Sequence, residues 1–196
     1  MDCFALLDEP RLPWLDVAAL KEKFLKASAE VHPDKFHDSD ESARSGAHER
    51  YTQLNEAHKT LSDSKTRLRH LLELQTGEPF PDLQTPPQAL MNLFFDIGAL
   101  CQETDAFLAK KEEADSPLLK VRLFEEGMNH SDKVQARIGD LNGRVEALDG
   151  ELKELNGAWT TDWTAARGRV EEICRLLSYY DRWRGQLNER FVRLAT

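Results

Sequence analysis

The apolar residues of this chain recur at three- and four-residue steps, the period of a helix face. Near the N-terminus, Leu20, Phe24, Ala27 and Val31 form one such stripe behind Asp16, which predicts a helix capped at Asp16 and running through Val31. Lys23, Lys26 and Glu30 lie on its other faces. His32-Pro33-Asp34-Lys35-Phe36 and a polar loop, His37-Asp38-Ser39-Asp40, interrupt the pattern. A second helix is predicted from about Glu41 to Leu61, with Tyr51, Leu54, Ala57 and Leu61 inward, and a short basic helix from Ser64 to Leu74 carries Leu68, Leu71 and Leu72.

Pro79, Pro81, Pro86 and Pro87, with Gly77, break the helical pattern across residues 77–87 and mark a linker, because proline removes amide donors and holds its predecessor extended. Three long helices are predicted in 88–196. The first carries the main stripe Leu90, Phe94, Ile97, Cys101, Thr104 and Leu108 and a second apolar face through Met91, Phe95, Gly98 and Gln102. Such a two-faced helix is either centrally buried or shows one face to a partner. Ser116-Pro117 starts the next helix. Its residues Val134, Ile138, Leu141, Val145, Leu148, Leu152, Leu155 and Trp159 keep a strict heptad. Gly143, Gly150 and Gly157 repeat at seven on its outermost position, where each costs up to about 1 kcal/mol against Ala. Thr160, Thr161 and Asp162 make a turn and a cap before a last helix bearing Trp163, Ala166, Val170, Ile173, Leu177, Tyr180, Leu187 and Leu194, with Trp183 filling the beat missed at Arg184. The short connection implies antiparallel packing.

Composition removes the alternatives to an all-α chain. Among 196 residues there are 28 Leu against 7 Val and 3 Ile, and Leu suits helices where β-branched residues suit strands. The net charge of −9 argues against a nucleic-acid partner, which needs a basic surface. The longest uncharged apolar run, about Ala89 to Phe95, is far short of the ~20 residues of a membrane span, so no membrane partner is expected. Asp2 and Asp8 stand where a secretory signal would be basic, and Cys3, Cys101 and Cys174 are widely spaced and odd in number. Both features fit a reducing, cytoplasmic location without disulfides. The six histidines have no carboxylate or cysteine partner at ligand spacing, and no phosphate loop, nucleophile elbow or acid pair appears. No catalytic residue, metal site or cofactor is therefore nominated.

One constellation is specific. A basic-faced helix, His32-Pro33-Asp34, a polar loop and a helix ending Leu54-Asn55-Glu56-Ala57-His58-Lys59-Thr60-Leu61-Ser62-Asp63 resemble a J-domain, with Phe4-Ala5-Leu6-Leu7 as its short first helix. Val31-His32-Pro33-Asp34-Lys35-Phe36 and Arg67-Leu68-Arg69-His70-Leu71-Leu72-Glu73-Leu74 resemble the HscB branch, the co-chaperones of iron–sulfur cluster assembly. The resemblance implies a J-domain over 1–76 (a helical hairpin with its His-Pro-Asp loop) and a C-terminal antiparallel three-helix client-binding bundle over 88–196, in an L-shaped molecule.

A J-domain is not itself an enzyme. It binds an ATP-dependent chaperone of the DnaK/HscA type and stimulates hydrolysis there. In this chain His32, Pro33 and Asp34 would form the chaperone-binding loop: Pro33 fixes the backbone, His32 braces it, and Asp34 offers a carboxylate to a basic group. Lys21, Lys23, Lys26 and Lys35 are the candidate docking charges. Glu22, Leu25 and Glu30 stand where basic residues are common, so residues 20–36 net only 4 − 3 = +1. The family grips an iron–sulfur scaffold protein of the IscU type at positions that fall here on Leu90, Met91, Phe94, Phe95, Gly98, Gln102 and Tyr179. The last three on the first of these helices are usually acidic in the family and are Phe95, Gly98 and Gln102 here, and the central helix is longer by about two heptads. Two other readings stay open on the residues alone: a J-domain co-chaperone for a different client, and a coiled-coil structural or oligomerisation protein whose J-domain is vestigial.

Overall fold

The computed structural model describes residues 1–38, 40–81 and 86–195, with Lys120 described by its backbone only. Residues 82–85 of the expected linker, and Ser39 of the polar loop, lie outside the described residues. Seven α-helices occur among the described residues, and no strand: α1 (Cys3–Leu6), α2 (Val17–Glu30), α3 (Glu41–Ser62), α4 (Ser64–Thr76), α5 (Met91–Glu112), α6 (Pro117–Thr161) and α7 (Trp163–Ala195). Short 3-10 turns cover Pro33–Phe36 and Gln88–Leu90. Aspartate opens each N-terminal helix: Asp2, Asp16, Asp40 and Asp63 accept hydrogen bonds from first-turn amides of α1, α2, α3 and α4. Gly77 ends α4 at φ +75°, the left-handed conformation that glycine reaches without a Cβ clash. No helix among the described residues is long and apolar enough to cross a membrane.

The chain divides into two compact units; one crossing between them, at residues 81/82, lies within the proline-rich segment, and two more lie in the long C-terminal helices. One unit comprises residues 1–81 together with 149–174; the other comprises 82–148 and 175–196. In the first, α2 and α3 form an antiparallel hairpin, read from Phe24 stacked on His58 at 4.3 Å and the His32 ring edge-on to Tyr51 at 5.4 Å. Phe4, Leu20, Leu54, Ala57, Leu61, Leu68, Leu71 and Leu72 are its buried core. Leu152, Trp159, Val170 and Ile173 from the facing parts of α6 and α7 are buried too, and Arg169 bridges those helices with a two-pronged pair to Glu151 at 2.6 and 2.7 Å.

The second unit is a three-helix bundle. Lys133–Glu103 at 2.7 Å and Lys110–Glu126 at 2.8 Å register α5 against α6 in antiparallel fashion, and Arg190–Asp105 at 2.6 Å ties α7 to α5. Its core holds Leu93, Ile97, Phe107, Leu123, Val134, Leu141, Leu177, Trp183 and Leu187. One stripe shifts from the expected pattern. Leu93 is buried and Phe94 is 40% exposed, so the inward register of the first α5 turns is Leu90-Leu93-Ile97 rather than Leu90-Phe94-Ile97. Steps of three and four both return a residue to the same helix face, and the smaller Leu93 fills the core position. Gly127 has a packing reason: a Cβ there would lie 3.2 Å from Cζ of Phe107.

Candidate functional site

The His-Pro-Asp segment is built from local chemistry. His32 is the residue before the 3-10 turn, and its Nδ1 accepts a hydrogen bond from the Asp34 amide at 3.3 Å. Pro33 occupies the first position of that turn, where a missing N–H costs nothing. The His32 ring rests edge-on against Tyr51 of α3, which anchors the loop to the hairpin. The Asp34 side chain is left 89% exposed. The result is a carboxylate presented to solvent from a braced, proline-fixed turn, able to accept a bidentate pair from an arginine.

The four candidate lysines have different surroundings. Lys21, Lys26 and Lys35 are exposed. Lys21 also raises the local positive potential at His58, whose pKa is pushed down mainly by burial and further by that charge. Lys26 lines an open groove with Leu6, Leu7 and Ala27. Lys23 is tied into the fold: its Nζ donates to the carbonyl of Asp8 and pairs with Glu9 at 3.0 Å. Asp8 has φ +51°, an uncommon conformation for a non-glycine residue, and Lys23 thus staples that turn to α2.

The candidate client residues divide by burial. Phe95 is 62% exposed and meets Phe94 edge-to-face at 5.5 Å, while Met91 and Gly98 are half-buried and Gln102 is exposed. These form one outward face on α5. Leu90 and Tyr179 differ from the expectation of a contact surface. Leu90 is 5% and Tyr179 4% exposed, because Leu90 begins the inward stripe of α5 and the Tyr179 ring packs 5.7 Å from Trp183.

A cluster that sequence reading missed lies in the first unit. Arg67 is buried, and its guanidinium donates to the carbonyls of Pro13 at 2.9 Å and Leu61 at 2.7 Å and to Oγ of Ser64 at 2.9 Å. Ser64 in turn donates to Asp149 at 2.7 Å, and the same carboxylate accepts from the Trp14 indole at 3.1 Å. Asn156 makes a reciprocal pair with the Trp14 backbone at 3.0 Å each way, and the Trp159 indole donates to the carbonyl of Arg11. Burial lowers the Arg67 pKa, and Asp149 and Asp63 partly offset that; the guanidinium stays charged. No signal within residues 60–70 announces this role, since every partner but Leu61 and Ser64 is remote in sequence. Among the described residues no three His, Cys, Asp or Glu side chains converge as metal ligands.

Comparison with known proteins bears on the whole arrangement. The DnaJ domain family matches residues 12–70, which span α2, the His-Pro-Asp turn, α3 and most of α4. A co-chaperone protein HscB homolog of Paraburkholderia phymatum is 39% identical over 72 residues, 37% of this chain and 41% of that protein, so this match spans about two fifths of the relative's length. One from Psychromonas ingrahamii is 34% identical over 156 residues, covering 79% of this chain and 89% of the relative. The solved structure of chaperone HscB from Vibrio cholerae superposes with a TM-score of 0.63 at 21% identity over 96% of both chains, a likeness of fold. With a J-domain in place and that extent of shared sequence, the chain belongs to the HscB family of J-domain co-chaperones.

Proposed function

We propose that this co-chaperone docks on a DnaK/HscA-type chaperone through His32, Pro33 and Asp34, stimulates its ATPase, and delivers to it an iron–sulfur scaffold protein of the IscU type. The observation that carries the reading is the exposed Asp34 carboxylate on a turn held by the His32–Tyr51 contact. An acidic group fixed in this way can form a two-pronged pair with an arginine of the chaperone. Lys21, Lys26 and Lys35 supply the steering charge, and Lys23 contributes by holding the turn at Asp8. Because residues 20–36 net only +1, docking depends on shape and on Asp34 more than on long-range attraction.

The scaffold protein is assigned to the outward face of α5, with Phe94 and Phe95 as anchors and Met91, Gly98 and Gln102 around them. Three buried free cysteines suit the reducing cytoplasm in which this work would be done.

The test is single-turnover ATP hydrolysis by the DnaK/HscA-type chaperone of the same cell. Wild-type protein is expected to accelerate hydrolysis, and Asp34→Asn, which preserves the shape of the turn, to abolish the acceleration with unchanged circular dichroism. Equal stimulation by wild type and Asp34→Asn would overturn the assignment.

A further inference from the structure

The face of α2 that leads to the His-Pro-Asp turn carries an apolar side chain left largely to solvent. Leu25 is 53% exposed. Ala18 and Lys21 stand seven and four residues before it and Ala29 four after it, so they surround it on one helix face, and all three are exposed. Glu22 stands at the edge of that face and offsets Lys21, which leaves the ground around Leu25 without net charge. Ser28 is buried and donates its hydroxyl to the Leu25 carbonyl at 3.2 Å, so it offers nothing outward. The other flank of α2 is occupied within the unit: Lys23 is tied to Asp8 and Glu9, and Lys26 and Glu30 line the groove against Leu6 and Leu7. A lone exposed leucine is ordinary. Position sets this one apart. It lies between Lys21 and Asp34, roughly 10 Å along the helix from His32. A partner that reaches both the Lys21 ammonium and the Asp34 carboxylate covers Leu25 on the way.

We propose that Leu25 is the specificity-determining residue of chaperone docking: it seats in an apolar depression of the cognate chaperone, and its lack of charge rejects a chaperone that is acidic at the same place. The inference rests on the docking function proposed above and adds the chemistry that chooses among chaperones of one class. The exposed alanines keep the helix surface low around Leu25, so a concave apolar site can close on it with little water trapped. An acidic site cannot, because its carboxylates would lose water and find no cation at position 25. The neighbours do not compensate. Residues 20–36 carry four basic and three acidic side chains, net 4 − 3 = +1, and Lys23 is already held by Asp8 and Glu9. The face thus selects by apolar fit at its centre, with Lys21 and Asp34 holding its two ends.

Chaperone ATPase stimulation, titrated with the full chain against two chaperones, tests the proposal. One is the cell's own DnaK/HscA-type chaperone and the other a DnaK-type chaperone with an acidic docking surface. On the cell's own chaperone, Leu25→Ala is expected to raise the half-maximal concentration about fivefold, from the apolar area no longer buried. Leu25→Lys should raise it about tenfold or more, because its ammonium meets an apolar site. Both should reach the wild-type rate at saturation, and Leu25→Met, which keeps the apolar volume, should titrate as wild type. On the acidic chaperone Leu25→Lys should instead lower the half-maximal concentration, and added salt should erase that gain. Circular dichroism should be unchanged throughout, since Ala, Lys and Met are good helix formers at an exposed position. Leu25→Ala and Leu25→Lys both titrating as wild type, while Asp34→Asn fails to stimulate, would overturn this inference and leave the docking function standing. Tighter docking of Leu25→Lys on the cell's own chaperone, or an equal loss on both chaperones, would overturn it as well. No stimulation by the wild type would remove the docking function and this inference together.

Discussion

Asp34 and Arg67 are charged side chains in opposite circumstances, and both follow from what surrounds them. Asp34 is exposed and has little to do with stability, so its replacement should change docking alone. Arg67 is buried and holds three protein groups at once. Arg67→Ala strands the carbonyls of Pro13 and Leu61 and weakens the hold on Asp149, and is expected to cost about 3 kcal/mol in urea unfolding. A loss below about 1 kcal/mol would contradict its role as a clamp. The His-Pro-Asp turn was legible in the sequence because its chemistry is local: the cap, the proline and the carboxylate are adjacent. Arg67 was not, because a basic residue in a basic helix reads as surface until Pro13 and Asp149 are known to lie beside it. His70 makes a pH prediction at the same scale. Its Nε2 accepts from the Cys3 amide at 3.1 Å and its ring stacks near Phe4, while burial holds its pKa below the ordinary histidine value. A lowered folded-state value means that the unfolded chain binds the extra proton first. This contribution to stability is present above about pH 6.5 and is lost as pH falls below it. His58, lowered mainly by burial, acts in the same direction. Thermal unfolding between neutral and mildly acidic pH should show Tm falling on acidification, and His70→Gln, which keeps an acceptor but cannot titrate, should flatten the fall. A His70→Gln profile parallel to wild type would show that His70 is not among the titrating groups.

Helices were the most legible elements, since leucine excess, aspartate caps and heptad spacing all favour the same local structure. What periodicity left undecided was phase. A three-step and a four-step neighbour share a face, so Leu93 and Phe94 compete for one inward position, and only the folded bundle decides it, burying Leu93. The heptad-spaced glycines of α6 illustrate the same limit. A Cβ built on Gly143, Gly150 or Gly157 meets nothing within 4 Å, so no close approach requires them. Each Gly→Ala change there is expected to stabilise by about 0.5–1 kcal/mol, measured as a higher urea midpoint at constant slope. Gly127→Ala is the contrasting control. Its Cβ meets the Phe107 ring, itself stacked on His130 at 4.6 Å, and the gain should be smaller or absent. A destabilising effect at Gly143, Gly150 and Gly157 alike would indicate that α6 carries a constraint along its outer face.

At the scale of the molecule, the proline-rich segment is a visible break and one crossing between the two compact units falls in it, but it is not the only crossing. Residues 149–174 join the N-terminal unit through Trp14, Asp149, Asn156 and Trp159, pairs far apart in the chain that no window of sequence can register. The functional consequence is a chain that offers two independent surfaces: the Asp34 turn in one unit and the Phe94–Phe95 face in the other. In the proposed function these surfaces act on different partners in one delivery step. This is tested most directly by chaperone ATPase turnover with and without the iron–sulfur scaffold protein. Wild type should stimulate alone and stimulate further when the scaffold is added. Asp34→Asn should lose both effects. Phe95→Glu should keep the first and lose only the scaffold-dependent increment. Loss of both effects in Phe95→Glu with its fold intact, or no stimulation by wild type, would contradict the two-surface delivery role.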